Sequence, residues 1–143
     1  MRVSAIAAAL ALGACATASA QMAPLPMALC AGWQGERTCE LLQEDARIRV
    51  LRCTFQPGVG HEMHYHPPHF GYVLEGESTM RITTADGVVD RPVRAGGSFS
   101  NEREIVHEAL NIGDQTMTYL IVEKKYEDTR AAEAIAEGLC VSD

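Results

Sequence analysis

The stretch Gly58-Val59-Gly60-His61-Glu62-Met63-His64-Tyr65-His66-Pro67-Pro68-His69-Phe70-Gly71-Tyr72-Val73-Leu74-Glu75-Gly76 holds four of the chain's five histidines. On an extended strand residues i and i+2 share a face, so His64 and His66 project together. Two neutral imidazoles on one rigid strand form a natural metal-binding element. Pro67 and Pro68 fix two φ angles, which stiffens the turn to His69 and holds that side chain at low entropic cost. His107 lies on a later strand, and a barrel that brings the two strands together would supply it from the opposite wall. If the first strand already begins at Glu62, this carboxylate shares the face of His64 and His66. It then serves as orienter, general base or substitute ligand, against the alternative of a solvated carboxylate at the rim. His61 reads as a loop histidine at the mouth.

Outward from this stretch the texture is that of short β-branched and aromatic runs broken by turn residues, the pattern of an all-β sandwich or barrel. The runs are Arg47–Phe55, Met63–His66, Phe70–Leu74, Thr79–Thr84, Val88–Val93, Ser98–Ser100, Ile105–Asn111 and Thr116–Lys124. Asp86-Gly87 reads as a tight hairpin turn, and Glu75-Gly76-Glu77 and Gly96-Gly97 call for a residue free to take positive φ. Eight such strands make two packed sheets. Residues 21–46 read as an irregular arm, with Pro24 and Pro26 against regular structure and Gly32-Trp33-Gln34-Gly35 as a turn around the only Trp. Residues 47–126 form the barrel. In residues 127–143, Asp128 can cap a short helix over Thr129–Glu137 that stops at Gly138.

The full spacing is Gly58-x5-His64-x-His66-x2-His69-x6-Gly76, then Gly96-x5-Glu102-x-Glu104-x2-His107-x3-Asn111. It resembles the two motifs of the cupin superfamily, Gly-x5-His-x-His-x3/4-Glu-x6-Gly and Gly-x5-Pro-x-Gly-x2-His-x3-Asn. Gly58, His64, His66, Gly76, Gly96, His107 and Asn111 match. The resemblance implies an all-β, cupin-type jelly-roll barrel, a homodimer as is common in that family, and a metal site on His64, His66 and His107. It also implies that His69 stands where the family places its metal-binding Glu, on a loop one residue shorter. Glu102 and Glu104 replace the Pro and Gly of the second motif.

An all-imidazole set brings no negative charge to a divalent cation. It suits zinc or iron best, copper and nickel also, and manganese less well, since hard cations favour oxygen ligands. The uncompensated metal charge then favours a small-molecule ligand that is an anion, such as a carboxylate or enolate.

The whole chain of 143 residues has 12 Lys+Arg against 19 Asp+Glu, a net charge of −7 with no basic run. That excludes the electrostatic footprint of a nucleic-acid binder. Residues 1–20 read as a signal peptide: Arg2, an apolar run from Val3 to Leu12, then small residues, too short to span a bilayer. Two cleavage readings compete. Ala18-Ser19-Ala20 is a small-x-small site, whereas Leu12-Gly13-Ala14-Cys15 resembles a lipoprotein box that would anchor the protein to a membrane through lipidated Cys15. Either way the product is exported, periplasmic or secreted, and four cysteines remain, Cys30, Cys39, Cys53 and Cys140. An even count in an oxidising compartment favours two disulfides, which we assign as Cys30–Cys39 and Cys53–Cys140.

Three functions fit these residues. The first is a metal-dependent enzyme on a small organic anion, with dioxygenase-, isomerase- or lyase-type chemistry. The others are a non-enzymatic protein that binds a small ligand or sequesters metal, and a barrel with a vestigial histidine cluster.

Overall fold

The computed structural model describes residues 25–127. Among these, eleven strands run β1 (Gly32–Trp33), β2 (Glu36–Arg37), β3 (Cys39–Glu44), β4 (Ile48–Phe55), β5 (Gly60–His66), β6 (His69–Glu75), β7 (Glu77–Thr84), β8 (Gly87–Arg94), β9 (Ser98–Asn101), β10 (Ile105–Asn111) and β11 (Met117–Lys124). A five-stranded sheet in the order β3-β4-β11-β6-β9 and a four-stranded sheet in the order β5-β10-β7-β8 form the jelly-roll barrel. Every pairing between these strands is antiparallel. All eight expected runs are strands, displaced at their ends by at most two or three residues.

The core follows from period-two alternation. On β4, Leu51, Cys53 and Phe55 point inward, and on β11, Met117, Tyr119 and Ile121 do so, all buried together with Val73, Met80 and Ala109. Asn111 braces the barrel's base: its Nδ2 donates to the Phe55 and Gln115 carbonyls at 2.9 and 2.7 Å, and its Oδ1 accepts from Ser78 at 2.6 Å. The free edge of β8 carries Asp90, Arg91, Pro92 and Arg94, residues that discourage edge-to-edge pairing. At the other edge, the arm residue Met27 forms a parallel bridge to Tyr65 of β5 and buries its ring.

The arm is more ordered than its prolines suggest. The Trp33 turn is a two-residue hairpin between β1 and β2, with Gln34 at φ 54° and Gly35 at φ 89°, the twist such loops require. Residues 39–44 form β3, a full member of the larger sheet.

The register of β3 also corrects the cysteine pairing. Cys39 lies directly opposite Cys53, with Cα atoms 4.0 Å apart, and the two are bonded. Cys30 packs instead beside Met27 and Tyr65, against the other sheet. Because Cys39 and Cys53 are each other's partners, both expected pairs, Cys30–Cys39 and Cys53–Cys140, are overturned, and Cys30, also disulfide-bonded, pairs with neither of them. Cys15, Cys140, the signal peptide expected over residues 1–20 and the helix expected over Thr129–Glu137 lie outside the described residues. The last described element is a 3-10 turn, Lys125–Glu127.

Candidate metal centre

One bulge sets the histidine constellation. Along β5, His64 pairs with His107 of β10 while His61 pairs with Ala109, so Glu62 and Met63 together oppose the single residue Glu108. The extra residue reverses the alternation, as bulges do. His61, His64 and His66 therefore all turn inward, and Glu62 turns out, where its Oε1 accepts the Gln34 amide at 2.8 Å. The geometry does not bring Glu62 to the site.

His107 comes from the strand next to β5 rather than from the opposite wall, its ring 4.7 Å from that of His64 and 5.4 Å from that of His66. The opposite wall supplies His69. Pro67 and Pro68 carry the chain from one sheet to the other, and the His69 ring stands 4.5 Å from that of His66. His61 lies 3.8 Å from the His64 ring. Five imidazoles thus meet at one end of the barrel.

Hydrogen bonds fix which ring nitrogens remain open. His64 Nδ1 donates to the Glu62 carbonyl at 2.6 Å, and His69 Nδ1 donates to the Pro67 carbonyl at 2.8 Å. His66 Nδ1 donates to Glu123 Oε1 at 2.8 Å, and His61 Nε2 donates to the Ala28 carbonyl at 2.8 Å. A carbonyl or carboxylate oxygen only accepts, so each of these nitrogens carries the hydrogen and the other keeps its lone pair. The free Nε2 of His69 accepts from Asn101 at 3.0 Å.

Burial holds all five rings neutral. It lowers His61 and His107 to about 4, pushes His64 and His66 well below the usual imidazole range, and lowers His69. Above the cluster opens a cavity of about 790 Å³. Its wall is apolar at Phe55, Val73, Phe99 and Ile121, and Arg91 and Arg94 line it from β8. No Asp or Glu lines it among the described residues. Burial raises the Tyr119 phenol, which stays protonated there.

A family model described as a cupin domain matches residues 51–123. The chain belongs to the cupin family. No curated protein matches this cupin. Among solved structures, a cupin domain from Bordetella pertussis Tohama I has a TM-score of 0.58 at 18% identity, covering 72% of this chain and 98% of its own. A cupin 2 conserved barrel domain protein from Salinispora arenicola has a TM-score of 0.50 at 20% identity, covering 69% and 82%. The polyketide cyclase RemF from Streptomyces resistomycificus also has a TM-score of 0.50, at 22% identity, covering 61% and 63%. At such identities the likeness is one of fold.

The donors in this cupin suit a metal ion. His61, His64 and His66 bring ligand atoms within 4.8 Å of one another. His64 and His66 place their Nε2 atoms 3.0 Å apart, with the hydrogen of each ring committed at Nδ1. Two lone pairs facing at that distance repel unless a cation or proton lies between them, so the arrangement is one a metal ion would relieve.

The expected ligands His64, His66, His69 and His107 converge, joined by His61. Two more residues were not anticipated. Arg49 and Glu123 sit directly opposite each other on β4 and β11, both buried, with Nη1 and Oε2 3.0 Å apart. The alternation carried their signal: Glu123 continues the inward series Met117, Tyr119, Ile121, and Arg49 continues Leu51, Cys53, Phe55.

Proposed function

We propose that this cupin is an exported protein that binds one divalent first-row transition metal through its histidine cluster and accepts a small organic anion in the cavity above it. The convergence of five neutral imidazoles, four of which (His61, His66, His69 and His107) line that cavity, carries the reading. His64, His66 and His107 are the proposed ligands, with His69 or His61 completing the set. Zinc or iron suits such nitrogen donors best. When bound, the metal supplies Lewis acidity or redox chemistry and a site for an anionic group.

The residues of the chain account for the rest. Neutral histidines leave the metal's charge unbalanced, and Arg91 and Arg94 add positive charge at the cavity wall, so a carboxylate or enolate is drawn in. The apolar wall excludes water and favours a ligand with a short hydrocarbon or aromatic body. The Cys39–Cys53 disulfide supports export, because such bonds persist in oxidising compartments.

One observation favours a second reading. No carboxylate lines the cavity among the described residues, so general acid–base help is confined to the histidines and Tyr119. A binding or metal-sequestering protein has no need of such a group.

The test is titration of the cobalt(II)-loaded protein with small carboxylates, read in the visible spectrum. The reading expects saturable spectral change, weakened about 10-fold by Arg91→Ala/Arg94→Ala, the effect of removing charge from an anion site. A spectrum unmoved by every carboxylate would overturn the anion assignment. Turnover of a bound anion, measured as oxygen uptake or product, would separate the enzyme from the binding protein.

A further inference from the structure

The geometry points to Glu123, braced by Arg49, as the positioning residue of the metal centre: it fixes the tautomer and aim of His66 from the opposite sheet. This inference rests on the metal-binding reading above.

Glu123 has no exposed surface and Arg49 is 6% exposed, so neither charge is a surface accident. A buried carboxylate is costly unless its oxygens are engaged, and both are. Oε2 accepts from Arg49 Nη1 at 3.0 Å, and Oε1 accepts from His66 Nδ1 at 2.8 Å. Held at both oxygens, the carboxylate cannot turn. Arg49 is anchored in its turn by Glu44, whose Oε1 lies 3.0 Å from Nη2 and 2.9 Å from Lys125 Nζ.

The other described histidine bonds of this kind run to backbone carbonyls near in sequence for His64 and His69, and to the arm for His61. Among the described rings, His66 is the one whose N–H is held by a carboxylate, and that side chain belongs to β11 in the five-stranded sheet while His66 ends β5 in the four-stranded one. The bond therefore ties the orientation of the ring to the packing of one sheet on the other. A partner that holds the far nitrogen of a metal-ligating imidazole sets its tautomer and raises its basicity. The Arg49–Glu123 pair has no net charge, so it does this without neutralising the metal.

Two variants test the role. Glu123→Gln offers one acceptor oxygen where Arg49 and His66 need two. Arg49→Leu/Glu123→Leu replaces the buried pair with apolar groups of similar size, a change buried pairs often tolerate. Circular dichroism selects the variants that fold. Nitrogen-15 spectra of the metal-free protein then report the His66 tautomer, and competition with a chromophoric chelator reports zinc affinity. We expect His66 in the Nδ1–H form in the wild type and a mixture in the double variant, with zinc bound about 10- to 100-fold more weakly there. An unchanged tautomer and unchanged affinity in a folded double variant would overturn the positioning role while leaving the metal site standing. A wild type that binds no zinc, iron, cobalt, copper or nickel would overturn the metal-binding reading, and Glu123's role in it, whatever the variants do.

Discussion

At the corner between β6 and β7, Gly76 adopts φ 92°, and a Cβ there would collide with the Thr116 carbonyl oxygen. The neighbour is backbone and cannot swing aside. Gly76→Ala should therefore lower stability by about 1–3 kcal/mol, from positive φ and overpacking together, read as a lower urea midpoint with unchanged slope. An unchanged midpoint would show that the corner can relax. The histidine spacing was legible because parity fixes the faces of His64 and His66. The fate of Glu62 and His61 was not, since the parity changes between Glu62 and Met63. A bulge leaves no composition signal, and only the register against Ala109 and His107 reveals it. Arg49 and Glu123 were legible in principle, as opposite charges on two inward-facing series, but their pairing depends on which strands become neighbours.

Among the elements, β3 shows where strand reading loses its signal. Only Cys39 of this edge strand is buried, and its register slips between Leu41 and Gln43, so Cys39-Glu40-Leu41-Leu42-Gln43-Glu44 shows no alternation. What ties β3 down is the bond to Cys53 across a sequence separation of 14. Closing a loop of that size in the unfolded chain is worth about 3 kcal/mol. Cys39→Ala/Cys53→Ala should lower stability by roughly that amount and loosen β3 first, seen as faster amide exchange at Leu41 and Gln43 than in β4. Equal exchange in the variant and the wild type would mean that strand pairing alone holds β3. The other eight barrel strands, by contrast, were read from β-branched and aromatic runs and the turn residues between them, because each has one face on the core or the cavity.

Across the whole molecule, the histidine cluster makes the barrel's stability depend on pH. In chelator-treated protein, His61 and His107 titrate near 4, against an ordinary value of 6.5. Between those two values the unfolded chain takes up protons that the folded one refuses, so the stability these two histidines contribute falls as pH drops through 6.5 and is gone by about 4. Each of the two contributes about 3 kcal/mol over the full window, at about 1.4 kcal/mol per pH unit, and His64, His66 and His69 shift in the same direction. Burial shifts Glu123 upward, which opposes the trend by one group against five. Urea denaturation at several pH values between 7.5 and 4 should show this decline. A flat profile would mean that the cluster opens to solvent before the barrel unfolds.

The central claim is that the imidazoles form a metal site, and elemental analysis tests it most directly. The protein, expressed from the full-length sequence and purified without chelator, would be compared by plasma mass spectrometry with a folded His64→Ala/His66→Ala variant. The account predicts about one equivalent of a transition metal in the wild type and almost none in the variant. Equal metal content in both, or none in the wild type after titration with iron, zinc, copper and nickel, would contradict it.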